Sequence, residues 1–182
     1  REVVLSLNEY IRNQDLTGQV TITTTVRGVE LTASGELLFG SGSAELNLRA
    51  EALLGKIADL IRSVPFHITI EGHTDDVPIS SRLFPSNWEL SSSRAGAVVR
   101  FFEEKRIDGS RLSAVGYAHT RPLSKIHETE LPKTKHARKM YTDEIMKARA
   151  RNRRMVLLFT KEPVRIEFEQ ARRFDSVRHD GN

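Results

Sequence analysis

Residues able to do chemistry gather in one stretch of the 182-residue chain, Gly72-His73-Thr74-Asp75-Asp76, with Arg94 following on a separate segment. Three chemistries compete for them. His73, Asp75 and Asp76 together offer nitrogen and oxygen ligands, which would suit a metal-dependent hydrolase with His119 as the plausible distant ligand. Against that, consecutive aspartates on extended backbone point opposite ways, and no second His/Asp/Glu cluster has ligand spacing. In a purely structural reading Asp75 caps a turn, Asp76 is solvated ahead of Val77-Pro78, and His73 is a satisfied loop histidine. In the third, Asp75 offers a carboxylate to a ligand ammonium while Arg94 offers a guanidinium fork to a ligand carboxylate, a pair that suits an amino-acid-like zwitterion. Single residues leave the choice open: Arg94 would serve equally as a surface partner of Glu89 or Glu103, Asn87 as a helix cap, and Arg154 as a solvated base.

The elements that must position these groups follow from periodicity. Leu5, Leu7, Tyr10 and Ile11 suit a short helix or lead-in linker over residues 1–19. Strict alternation from Val20 to Val26, then Val29, Leu31 and Ala33 after Arg27-Gly28, predicts a β-hairpin. Beyond the breaker Gly40-Ser41-Gly42-Ser43, apolar residues at three- and four-residue spacing predict a helix from about Ala44 to Arg62. His67 to Glu71 reads as a strand that feeds the polar loop. Ser86 and Glu89 have capping-box spacing, so a second helix begins near Asn87, burying Leu90, Ala97, Val98, Phe101 and Phe102. Phe84 and Trp88 read as packing residues. Leu112 to Tyr117 and Met155 to Phe159 complete the strands, and Ala137 to Ala150 reads as a helix within a polar excursion. The expected fold class is α+β, a two-layer sandwich whose mixed sheet carries its helices on one face. The expected division is a lead-in at 1–19, a domain at 20–162 with a polar insertion at about 124–151, and a charged tail at 163–182.

Composition narrows the function classes. With 28 basic and 24 acidic residues, 38% hydrophobic and 29% charged, the chain has the make-up of one globular domain that buries roughly two-thirds of its unfolded surface. Absence of cysteine excludes a disulfide scaffold, a cysteine nucleophile and a thiolate metal site. No stretch approaches the ~20 apolar residues that a membrane-spanning helix needs. The chain opens at Arg1 with no leader-like segment, so a fragment of a longer protein is expected. Charge is uneven: residues 133–182 carry 14 basic and 7 acidic groups, residues 1–132 carry 14 and 17. No aromatic residues interleave with the basic ones, so nucleic acid is not an expected partner.

Taken together, Gly72-His73-Thr74-Asp75, Asn87-Trp88-Glu89-Leu90-Ser91, Arg94-Ala95, Gly116-Tyr117, Pro122 and Asn152-Arg153-Arg154 resemble the OmpA-like peptidoglycan-binding domain over about residues 20–160. Within that family, Phe84 to Ser91, Phe39 to Leu46 and Leu112 to Tyr117 look most like the MotB branch of flagellar stator proteins. The resemblance implies a non-enzymatic module without cofactor or metal that grips the diaminopimelate residue of a peptidoglycan stem. Carried over residue by residue, Asp75 takes the ammonium, with Thr74 beside it in the motif, and Arg94 takes the carboxylate. Asn87 and the main chain near Leu90 add hydrogen bonds, and Arg154 stands at the pocket edge. It further implies a homodimer, a MotA-type partner through an absent N-terminal region, and a periplasmic domain of an inner-membrane-anchored protein. An outer-membrane lipoprotein or porin anchor would use the same pocket. Gly40 stands where many members carry aspartate, and the connection from Asp75 to Asn87 is longer than in porin relatives.

Overall fold

The computed structural model describes residues 2–126 and 132–161. Helix α1 (Glu2–Asn13) leads into the hairpin of β1 (Val20–Thr25) and β2 (Gly28–Ser34), a single turn α2 (Gly35–Leu38), and helix α3 (Leu48–Ile61). There follow β3 (His67–His73), α4 (Asn87–Glu104), β4 (Leu112–Gly116), α5 (Lys135–Asn152) and β5 (Arg154–Thr160). The five strands form one mixed sheet in the order β1-β2-β5-β3-β4. Only β3 and β4 run parallel, and α4 connects them as a crossover must. The last strand therefore lies at the centre, which is why its sequence is apolar almost throughout.

One face of the sheet carries the core. Leu31, Leu157 and Ile70 stand side by side across β2, β5 and β3, and Leu53, Leu54, Ile57 and Ile61 of α3 and Val98 and Phe102 of α4 bury against that face. Each such side chain contributes about 1.5–3 kcal/mol by leaving water. The expected α+β class and helix-covered face are both present. Leu7 and Ile11 of α1 belong to the same core, so the lead-in segment packs on the domain.

Three local features depart from the sequence reading. The helix expected from about Ala44 starts at Leu48, because Asn47 is its cap: Oδ1 accepts from the Ala50 N–H at 2.9 Å, and Nδ2 donates to the Leu37 carbonyl at 3.0 Å. Residues 40–46 stay out of the helix, bracketed by a bridge between Phe39 and Leu46. The turn α2 was not anticipated; Ser34 caps it, accepting from the Leu37 N–H at 3.2 Å. Trp88, expected to pack, is 48% exposed. The tail expected over residues 163–182 lies outside the described residues, as does part of the polar excursion.

The contact between α4 and the sheet is set by two glycines. Gly72 and Gly116 are register partners on β3 and β4. A Cβ at Gly72 would stand 2.9 Å from the Ser91 carbonyl carbon and closer still to its oxygen, and one at Gly116 would stand 2.6 Å from the Ser92 nitrogen. Only hydrogen atoms fit there. Gly72→Ala and Gly116→Ala should each cost about 1–3 kcal/mol in urea unfolding, because backbone must move to admit the methyl. Gly55→Ala serves as the contrast: it sits in α3 with nothing within 4 Å of its Cβ position and should stabilise by about 0.5–1 kcal/mol. Equal effects at the three positions would refute the close approach.

Candidate functional site

At the C-terminal end of β3 the chain leaves the sheet as Thr74-Asp75, and the loop after β4 is tied to it. The Thr74 N–H donates to the Ala118 carbonyl at 2.9 Å, the Tyr117 N–H to Gly72 at 2.9 Å, and the Ala118 N–H to the Ser91 hydroxyl at 3.1 Å. Asp75 is buried and its Oδ1 accepts from the Val77 N–H at 3.0 Å, which fixes its rotamer. The N-terminus of α4 faces it. Ser86 caps that helix by accepting from the Trp88 N–H at 3.1 Å, and its hydroxyl meets the Glu89 carboxylate. Asn87 is therefore free of the capping role, and its Nδ2 donates to the Val77 carbonyl at 2.9 Å and reaches the Asp75 carbonyl at 3.5 Å.

Positions 87, 90 and 94 lie on one helical stripe and open onto a cleft of about 450 Å³. Thr74, Asp75, Asn87, Leu90 and Arg94 all line it, so five of the six residues singled out from sequence share one site. The sixth does not. Arg154 starts β5 opposite His73 on the outer face of the sheet, buried, with its guanidinium donating to the Arg121 carbonyl at 3.0 Å. The cleft instead holds Arg153, one residue earlier, because neighbours along extended backbone point to opposite faces. Glu36, Phe39 and the segment Val77–Ile79 also line the cleft and were not read from sequence. Glu36 lies within the unpredicted turn α2 and carries no motif of its own.

Arg94 is built into the fold. Its Nε donates to the Ser43 carbonyl at 2.7 Å and Nη2 to the Gly40 carbonyl at 3.1 Å, while the guanidinium lies 5.0 Å from the centre of the Phe39 ring. Neither Glu89 nor Glu103 is its partner among the described contacts. Burial, and then the nearby Arg153, push its pKa down to about 10 against the pull of Asp75, so it stays charged at neutral pH. Among the described residues Nη1 has no hydrogen-bond partner, whereas Nε and Nη2 are engaged. Arg153 divides its fork, Nη1 to Asp75 Oδ2 at 2.6 Å and Nη2 to Glu36 Oε1 at 2.5 Å. Burial works against that charge, but the hydrogen bonds to Glu36 and Asp75 more than offset it, and its pKa is raised. The cleft thus carries two guanidinium and two carboxylate groups.

The three residues of the metal alternative have separate partners. Asp75 pairs with Arg153; Asp76 takes a two-point contact from Arg149 at 2.8 and 2.7 Å; His73 Nε2 stands 3.7 Å from Glu71 on the outer face. Among the described residues no three His, Cys, Asp or Glu side chains gather as an ion would require. His119 lines a neighbouring cavity with Asp76, Lys125 and Asn152. The outer face of the sheet buries Glu71, held by Arg27, and His73, whose ring lies 5.3 Å from that of Tyr117. Among the described residues neither His73 nitrogen has a hydrogen-bond partner. Burial is the main cause that lowers its pKa, with Arg154 adding to it against the pull of Glu71.

Residues 38–135 match the OmpA family. The uncharacterized protein YtxE of Bacillus subtilis is 41% identical over 123 residues, 67% of this chain and 51% of that protein. Motility protein B of Bacillus subtilis is 31% identical over 120 residues, 65% of this chain and 46% of its own length. The chain spans about half the length of the curated relatives it matches. Among solved structures, the cell wall anchor of the T6SS from Pseudomonas aeruginosa superposes with a TM-score of 0.67 at 28% identity, over 85% of this chain and 96% of that one.

The orphaned histidine makes a pH prediction. A folded-state pKa below the ordinary 6.5 means that the unfolded chain binds the extra proton first, so stability present above about pH 6.5 is lost as pH falls below it. The pKa of Glu71 is lowered too, so its contribution is lost only below the ordinary 4.5. Between pH 7.5 and 5.5 the urea midpoint of the parent should therefore fall, and that of His73→Gln should fall by less. Parallel slopes for the two proteins would count against a buried neutral imidazole.

Proposed function

Since the chain belongs to the OmpA family, we propose that the cleft between β3 and α4 binds peptidoglycan, holding the zwitterionic end of diaminopimelate in the stem peptide. The observation that carries this reading is that Asp75 and Arg94, distant in sequence and opposite in charge, line one cleft. The ligand ammonium approaches the Asp75 carboxylate, and the ligand carboxylate meets Nη1 of Arg94. Because the other arms of Arg94 are committed to Gly40 and Ser43, that contact is a single charge-assisted hydrogen bond within a partly desolvated site. Asn87, Thr74 and Leu90 shape the wall of the cleft. Nothing in this chemistry makes or breaks a covalent bond; the domain is a binding module.

Likeness to motility protein B supports a finer reading, in which the domain anchors a flagellar stator to the wall from the periplasmic side. In that setting it works as a homodimer and joins the inner membrane and a MotA-type subunit through a preceding segment. Likeness to the T6SS wall anchor supports wall anchoring as the shared task, whichever machine is held.

Testing the cleft requires variants that spare the fold. Arg94→Ala would leave the Gly40 and Ser43 carbonyls unpaired and cost about 1–3 kcal/mol of stability, confounding the result. Asp75→Asn keeps the shape and the acceptor for the Val77 N–H. It should reduce co-sedimentation with isolated peptidoglycan by tenfold or more, on the order expected when one side of a buried charge pair is removed. Arg94→Lys keeps the charge and a donor for one of the Gly40 and Ser43 carbonyls but loses the fork, so it should do likewise, with its urea midpoint measured beside it, and free diaminopimelate should compete with the parent protein. Undiminished sedimentation of both variants would move the binding site elsewhere.

A further inference from the structure

The cleft is not a bare receptacle for a zwitterion, because Asp75 already has partners on both oxygens. Val77 donates to Oδ1 at 3.0 Å and Arg153 to Oδ2 at 2.6 Å. A ligand ammonium arriving there meets a second positive charge beside the carboxylate. What makes room for it is the other arm of Arg153, which lies 2.5 Å from Glu36 Oε1. Glu36 is held in place through its neighbour: the Gly35 N–H donates to the Arg153 carbonyl at 2.8 Å, so the start of α2 and the residue before β5 are pinned together. Gly35 lies so close to that carbonyl, 3.2 Å from a Cβ position, that the two segments have little freedom to separate.

We propose that Glu36 determines the specificity of the cleft for a zwitterionic over a purely anionic ligand end, by holding Arg153 back from full engagement with Asp75. The inference rests on the peptidoglycan reading above. Four groups set the electrostatics: Asp75 and Glu36 against Arg94 and Arg153. With Glu36 present they sum to zero, which matches a ligand end that carries one ammonium and one carboxylate. Without the Glu36 charge the cleft has an excess positive charge, and Arg153 has no partner besides Asp75 among the cleft carboxylates. Both changes work against an ammonium, and neither works against a carboxylate. Glu36 itself is largely exposed and its side chain makes no core contact, with 72% of its surface open. Its role is therefore separable from folding.

The experiment is a calorimetric titration of the full chain with two synthetic stem tripeptides. One ends in meso-diaminopimelate; the other carries 2-aminopimelate, which keeps the distal carboxylate and lacks the ammonium. Glu36→Gln should weaken the diaminopimelate peptide about three- to fivefold, the size expected of one partly exposed charge, and leave the 2-aminopimelate peptide bound no more weakly than in the parent. Glu36→Asp, which restores the charge, should recover most of the loss, and all three proteins should melt together. Equal weakening of both peptides, or no change for the diaminopimelate peptide, overturns the role given to Glu36 while leaving the cleft as the binding site. If the parent binds neither peptide, the reading of the site falls and this inference with it.

Discussion

Two missing methyl groups hold the arrangement together. Gly72 and Gly116 sit side by side on the parallel strands, and the first turns of α4 lie against them at a distance that admits no Cβ. This close approach places the Ser91 hydroxyl where it can receive the Ala118 N–H, tying the loop after β4 to the helix. It also brings Asn87, Leu90 and Arg94 beside the residue that follows Thr74. A helix held further from these two glycines would carry Asn87, Leu90 and Arg94 away from Asp75. The position of the site is thus decided by backbone packing before any charged group takes part.

Charge then couples the site to the fold. Arg94 is buried, and two of its arms are spent on carbonyls of the Gly40–Ser43 loop, so the residue expected to clamp a ligand also fastens one wall of the cleft. Gly40 has no side chain and offers only its carbonyl, and Arg94 uses it. The energetic logic is that of any buried cation, which must find acceptors or lose its charge. Arg153 solves the same problem with side chains, bridging Asp75 and Glu36. One guanidinium is anchored by backbone carbonyls, the other by two carboxylate side chains. That difference is what gives the two arginines different parts to play in the proposed binding.

Much of this was legible in the sequence wherever a physical period was long enough to fix its own phase. The apolar stripe of α3 and the continuous apolar run of β5 gave the layers, and the Ser86–Glu89 spacing gave the start of α4. The phase failed where a single residue decides it. Between Arg153 and Arg154 the side chain direction reverses, and sequence spacing alone cannot say which arginine begins the alternation. The start of α3 was missed because Asn47 outcompetes the earlier residues as a cap, a preference that depends on its second hydrogen bond to Leu37 in a different element. Glu36 was invisible for a related reason: its partner lies far along the chain, and a salt bridge between remote residues leaves no local pattern.

A wall anchor of the proposed kind has to satisfy two opposed demands. It must hold against force, yet a clamp for one amino-acid end buries little area and cannot be tight on its own. The cleft geometry bears on this directly. Its four charges balance internally, so little of the affinity comes from long-range attraction, and the contact depends on short-range fit that salt screens only weakly. In the proposed homodimer strength would then come from number: two such domains, each seated on a covalent network, raise the effective concentration at every neighbouring site. Individually modest and quickly reversible contacts of this type let an anchor be placed and released, whereas a single very tight site would fix it permanently. In the proposed binding, a charge-balanced cleft in which Arg94 keeps a single uncommitted arm suits the first design better than the second.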